Sequence, residues 1–168
     1  MIFLYLILAA LFSIVIVQDF KSKRISVFLL PAILICASGI SILSSGFQKL
    51  LETVGYNISF VIIQFVLLFL YLKFRYSLST KVVDKFIGLG DLLFLVAITP
   101  LLSLPEFIVA YLLSLILSIG YFSILSIKRK DDKEIPLAGV FSIVMLFFLL
   151  AVYPENLQSI ILRKVFEI

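Results

Sequence analysis

The chain has 168 residues, 63% of them hydrophobic and 14% charged, and its mean hydropathy of +1.26 is far above that of a soluble domain. Without histidine it lacks the commonest general base and metal ligand, and a lone Cys36 in an apolar run rules out an internal disulfide, CxxC redox chemistry and a thiolate zinc site. The net charge of +4 comes from basic residues set between apolar segments, with no nucleic-acid-binding motif, so it points to membrane topology and away from DNA or RNA.

What remains is an all-α polytopic membrane protein, one bundle of about six transmembrane helices spanning residues 1–168. The first expected span covers 2–18. Basic residues Lys21, Lys23 and Arg24 follow it and none precede it, the reverse of a secretory signal, so it reads as a retained span with its N-terminus extracytoplasmic. A second span, 26–43, carries Pro31 near its start, where a helix tolerates it. In 46–54, Phe47, Leu50, Leu51 and Val54 recur at helical spacing among polar residues, which fits a short interfacial helix or, equally, an ordinary tight connection. The third span, 56–72, returns to the basic side at Lys73 and Arg75. A polar connection with Lys81, Asp84 and Lys85 then leads to Gly88-Leu-Gly-Asp91.

The fourth span is placed at 88–104, because its apolar part alone, Leu92 to Leu104 with Pro100 inside it, is too short to cross a core of roughly 30 Å. A fifth span, 107–127, meets the charged run Lys128 to Glu134, and a sixth covers 136–153. The last residues, 155–168, repeat Leu157, Ile160, Ile161, Val165 and Ile168 at helical spacing, as an interfacial helix does. Eleven Lys and Arg fall in the connections on one face and three (Lys49, Arg163, Lys164) on the other, which makes the first face cytoplasmic. Asp19 and Asp91 then share that face, although 72 positions separate them.

An ionisable residue at the edge of an apolar span is a candidate functional group. Taken singly, each aspartate has an ordinary explanation. Asp19 pairs with the lysines and arginine that follow it, and Asp91 serves as an N-cap. The glycines argue for more, since Gly88 and Gly90 allow positive φ and close backbone approach beside a carboxylate, opening a loop to an extended peptide. Two aspartates meeting in a low-dielectric site share one proton, because like charges that close do not both ionise readily. One carboxylate then activates water as general base while the other protonates the substrate, as in aspartic proteolysis, with no metal or cofactor.

These residues resemble a known family. Asp19-Phe-Lys-Ser-Lys-Arg-Ile25 after the first span, Gly88-Leu-Gly-Asp91 opening a later one, and Ile135-Pro136-Leu-Ala-Gly139 before the last are similar to the type IV prepilin peptidases, membrane aspartyl proteases of the GxGD type. The resemblance implies that Asp19 and Asp91 are the catalytic pair, supported by Gly88 and Gly90. It also implies that the enzyme cleaves the basic leader of a prepilin-like protein at the cytoplasmic membrane surface, in pilus assembly or protein secretion, while the substrate's apolar helix stays in the bilayer. Ser26 and Leu92-Leu93 depart from the family's usual residues, and the long members' CxxC segment is absent from the chain, so peptidase activity without that domain is expected.

Asp84, Asp131, Asp132 and Glu134 are assigned to attracting the basic leader, although a solvated loop is the simpler account of the last three among Lys128, Arg129, Lys130 and Lys133. Tyr56 and Tyr153 read as interfacial aromatics, and Ser41, Ser114 and Ser118 as helix–helix hydrogen-bonding groups. The alternative from another class is a non-enzymatic helical membrane protein, a small transporter or a secretion-assembly subunit. Against a transporter stands the absence of an internal repeat with paired helix interruptions.

Overall fold

A computed structural model describes residues 1–23, 25–76, 88–128 and 137–150. Among these residues there are six helices and no strand: α1 (Ile2–Ser22), α2 (Leu29–Ser45), α3 (Phe47–Tyr76), α4 (Leu89–Ile98), α5 (Leu104–Lys128) and α6 (Leu137–Leu150). Three are long and apolar enough to cross a membrane, at Ile2–Ser22, Phe47–Phe74 and Leu104–Ile124; α2 and α6 are shorter apolar helices. The described residues are thus all-helical and compatible with a membrane protein.

In α1, Leu8, Phe12, Val15 and Asp19 are buried at spacings of four, three and four residues, one continuous stripe on a 3.6-residue helix. The aspartate is the last member of an otherwise apolar face. Leu30, Ile33, Ala37 and Ile40 give α2 the matching stripe, and the two helices pack along their lengths. Between them Lys23 adopts a left-handed turn, its N–H bonded to the Asp19 carbonyl at 3.0 Å, and the Gln18 Oε1 accepts the N–H of Ser26 at 3.0 Å. Gly46 supplies the positive φ (88°) that turns α2 into α3.

Residues 47–54 are the first two turns of α3, continuous with the predicted third span. Gly55, where the sequence reading divides them, is accommodated as a helical residue whose carbonyl accepts the Ser59 hydroxyl. The predicted helix at 155–168 lies outside the described residues.

Helix α4 is also unlike its expected form. It has ten residues, ~15 Å at 1.5 Å per residue, about half a bilayer core. It ends before Pro100, which has no N–H to continue the ladder. The carbonyls set free there find a partner on α3. The Asn57 side chain, fully buried, donates to the carbonyls of Thr99 and Leu102, both at 2.8 Å. Irregular backbone is sustainable in an apolar surrounding only with such partners. At the restart, the Glu106 Oε2 accepts the Ser103 N–H (2.9 Å) and hydroxyl (2.6 Å), joining the residue before α5 to its first turn.

A chain of ring contacts ties the bundle together. Phe12 of α1 meets Phe94 of α4, Phe94 meets Phe141 of α6, Phe141 meets Phe107 of α5, and Phe107 meets Phe60 of α3, with centroids 6.0–6.4 Å apart. Edge and tilted geometries of this kind each add on the order of 0.5–1.5 kcal/mol beyond the area they bury. Five helices are thereby fixed relative to one another directly beneath Asp91, since Phe94 follows it by three residues on α4.

Candidate active site

Asp19 closes the buried stripe of α1, so its side chain points inward and is only 5% exposed. There it meets the beginning of α6. The Gly139 N–H donates to the Asp19 Oδ2 at 2.6 Å. Asp91 lies in the first turn of α4, and its carboxylate accepts the N–H of the preceding residue on α6, Ala138. It also stands close enough to Asp19 for the two charges to repel each other. Two aspartates 72 positions apart are thus held by consecutive amides of a third helix.

The physical reason lies in how a helix begins. The first N–H groups of α6 have no intrahelical acceptor, and the helix dipole adds partial positive charge at that end. Carboxylates are the natural acceptors for such groups, as anions at helix N-termini are generally. Each aspartate therefore has a fixed hydrogen-bond partner and an orientation set from outside its own helix.

Neither ordinary explanation describes these side chains. Asp91 is the third residue of α4, not its N-cap; Gly88 holds that position, without a side-chain capping bond. Asp19 faces α6 inside the bundle and accepts the Gly139 N–H there. The expected role of the glycines also changes. Gly88 has φ −68° and Gly90 is helical, so neither uses the positive-φ region, which among described glycines belongs to Gly46. Gly88 matters through space: a Cβ there would sit 2.8 Å from the Asp91 Oδ2, below any tolerable contact. At Gly90 the nearest atom would be the Ile25 Cδ1, an ordinary 3.9 Å away.

Gly139 is the tightest position of all. A Cβ on it would lie 2.8 and 2.9 Å from two ring carbons of Phe20 and 3.0 Å from the Asp19 Oδ2. Phe20 in turn stands edge-on to Tyr121 of α5, with centroids 5.3 Å apart. Sequence reasoning places Gly139 in a family motif but gives it no task, and it passes over Phe20, Tyr121 and Asn57. For Gly139 the signal is the proline that opens the predicted sixth span, a residue type favoured at a helix start, where amides are free. Asp84, Asp131, Asp132 and Glu134 lie outside the described residues.

Two carboxylates at one place, one buried and one partly buried, offer the groups that acid–base chemistry without histidine requires. No family model, curated protein or solved structure matches the chain.

Proposed function

We propose that this protein is a membrane aspartyl endopeptidase of the prepilin-peptidase type, which cleaves the N-terminal leader of prepilin-like membrane proteins at the cytoplasmic face of the cell membrane. The observation that carries the reading is the convergence of Asp19 and Asp91 on the amides of Ala138 and Gly139. The three sequence stretches that carry the family resemblance thereby contribute to one site. The further parts of the reading are six passes through the bilayer, with the N-terminus extracytoplasmic.

The mechanism follows from the residues. A water between the carboxylates loses its proton to the one in base form as its oxygen attacks the scissile carbonyl carbon. The other, in acid form, gives its proton first to the carbonyl oxygen. Collapse of the tetrahedral intermediate breaks the C–N bond, and the departing amine takes up a proton held by the pair. Throughout, the amides of α6 keep the two side chains from swinging apart. Preorganisation of this kind reduces the reorganisation needed at the moment of reaction.

The test is co-expression with candidate prepilin-like substrates and comparison of leader cleavage by wild type, Asp19→Asn and Asp91→Asn at matched membrane levels. Cleavage by wild type and its loss in both variants is the expected result. If wild type cleaves and either variant keeps the full rate, the pair is not catalytic; if wild type cleaves no candidate, the proposed activity falls.

A further inference from the structure

At the end of the bundle opposite the aspartates, the beginnings of α1, α3 and α5, the ends of α2 and α6 and the α4–α5 connection line an open cavity of about 350 Å³. That volume is far more than one water needs and lies at the lower end of small-molecule sites, roughly 300–1,000 Å³. Its lining is charged in two senses. Lys49 in the first turn of α3 and Glu106 in the first turn of α5 both border it, and both are exposed, so an ammonium and a carboxylate stand at its mouth.

Neither charge is used up by the other. Among the described residues Lys49 has no ion-pair partner, and Glu106 spends its Oε2 on Ser103 while its Oε1 accepts no hydrogen bond. Ser44 and Ser45 also line the cavity; the Ser44 hydroxyl donates to the Ser41 carbonyl at 3.1 Å and lies 3.3 Å from that of Ser45, which leaves the Ser45 hydroxyl as the one that can turn to a ligand. Opposite charges that share a cavity without pairing suit a ligand carrying the complementary two, an anionic oxygen group and a primary ammonium.

We infer that this cavity binds the headgroup of a phosphoethanolamine lipid, with the phosphate on Lys49 and Ser45 and the ammonium on the Glu106 Oε1. A lipid is favoured over a free zwitterion by what surrounds the charges. The half-buried Phe148 and Leu149 and the buried Ile40 and Leu102 line the same cavity as the charges. The apolar part of the ligand therefore meets apolar side chains. The site is independent of the peptidase proposal, being at the other end of the molecule and using none of its residues.

Native mass spectrometry of the purified full chain, released from detergent with equal amounts of phosphatidylethanolamine, phosphatidylcholine and phosphatidylglycerol, tests the inference. The expected result is retention of phosphatidylethanolamine about tenfold above the other two, the scale of one charge-assisted contact. Glu106→Gln, which keeps an acceptor for Ser103, should erase that preference, and Lys49→Gln should lower retention of all three lipids. Equal retention of the three by wild type overturns the assignment, as does an unchanged preference in Glu106→Gln. Free phosphoethanolamine is the competitor arm: weak competition supports a lipid, whereas competition as potent as that of the intact lipid shows a site for soluble zwitterions and removes the lipid.

Discussion

The two ends of the bundle solve one problem with different groups. At the aspartate end, α6 begins with unpaired N–H groups, and carboxylates from α1 and α4 take two of them. Toward the other end, α4 stops short and its connection leaves carbonyls unpaired, and the amide of Asn57 takes two of those. Both arrangements satisfy buried backbone from a distant helix. An amide neither gains nor loses a proton near neutral pH, whereas a carboxylate does. The Asn57 arrangement is therefore architecture alone, and the aspartate arrangement is architecture with chemistry available to it.

The largest expected effect separates those two roles. Asp19→Asn and Asp91→Asn keep an acceptor for the Gly139 and Ala138 amides, so both variants should fold, yet cleavage should fall by about 10²–10⁴-fold, the usual worth of a general acid or base. Detergent unfolding temperatures close to wild type, together with lost cleavage, would show that the carboxylates are needed for more than the bonds they accept. For the wild type, a reaction needing one acid and one base predicts a bell-shaped pH–rate profile. Rate is lost on the acid side when the base is protonated and on the alkaline side when the acid is not. A profile flat across that range would remove the paired mechanism.

Asn57 should behave in the opposite way. Asn57→Leu leaves the Thr99 and Leu102 carbonyls without their side-chain donor, at a cost of about 1–3 kcal/mol for each buried group so orphaned. Its unfolding temperature in detergent should drop clearly while turnover per folded molecule stays within a few-fold of wild type. A variant as stable as wild type would mean that the α4–α5 connection finds other donors.

How much of this was legible in the sequence differs between the two ends for a physical reason. Asp19 continues the stripe of Leu8, Phe12 and Val15 at helical spacing, so the side chain itself announces its inward direction. Asp91 is marked by its place at the head of an apolar run. Their common partner is backbone, and an amide has no letter of its own; only Pro136, a residue type favoured at helix starts, hints that free N–H groups follow. Asn57 was harder still, since one polar residue in a long apolar helix does not name the carbonyls it serves. They are fixed by where Pro100 breaks α4, 43 positions later. The positive φ that Gly88 and Gly90 permit is not used: a glycine beside a carboxylate has two uses, and the sequence does not distinguish torsional freedom from absent volume.

Gly139→Ala tests the close approach at the aspartate end. The added methyl would meet the Phe20 ring at 2.8 Å and the Asp19 Oδ2 at 3.0 Å, so the ring or the carboxylate must move. Cleavage should fall by about tenfold or more, since displacements near 1 Å in a catalytic group are worth up to about a hundredfold. Gly88→Ala should lose activity on the same scale, through its 2.8 Å contact with the Asp91 Oδ2. Full activity in either variant would show that the carboxylate it crowds can work from another position.

The smallest effect is the sharpest test of whether the glycines act as a motif or as space. Gly90 sits inside α4, its imagined Cβ 3.9 Å from Ile25 and in ordinary contact. Alanine there gains helix propensity of up to about 1 kcal/mol, and nothing in the described residues opposes it. Gly90→Ala should therefore unfold at or slightly above the wild-type temperature and cleave within about twofold of its rate, the size of an ordinary surface substitution. If it instead lost activity as Gly88→Ala is expected to, while remaining folded, the face of α4 at Gly90 would have to be where substrate backbone passes. The two glycines would then divide the work, Gly88 making room for the carboxylate and Gly90 for the chain it cuts.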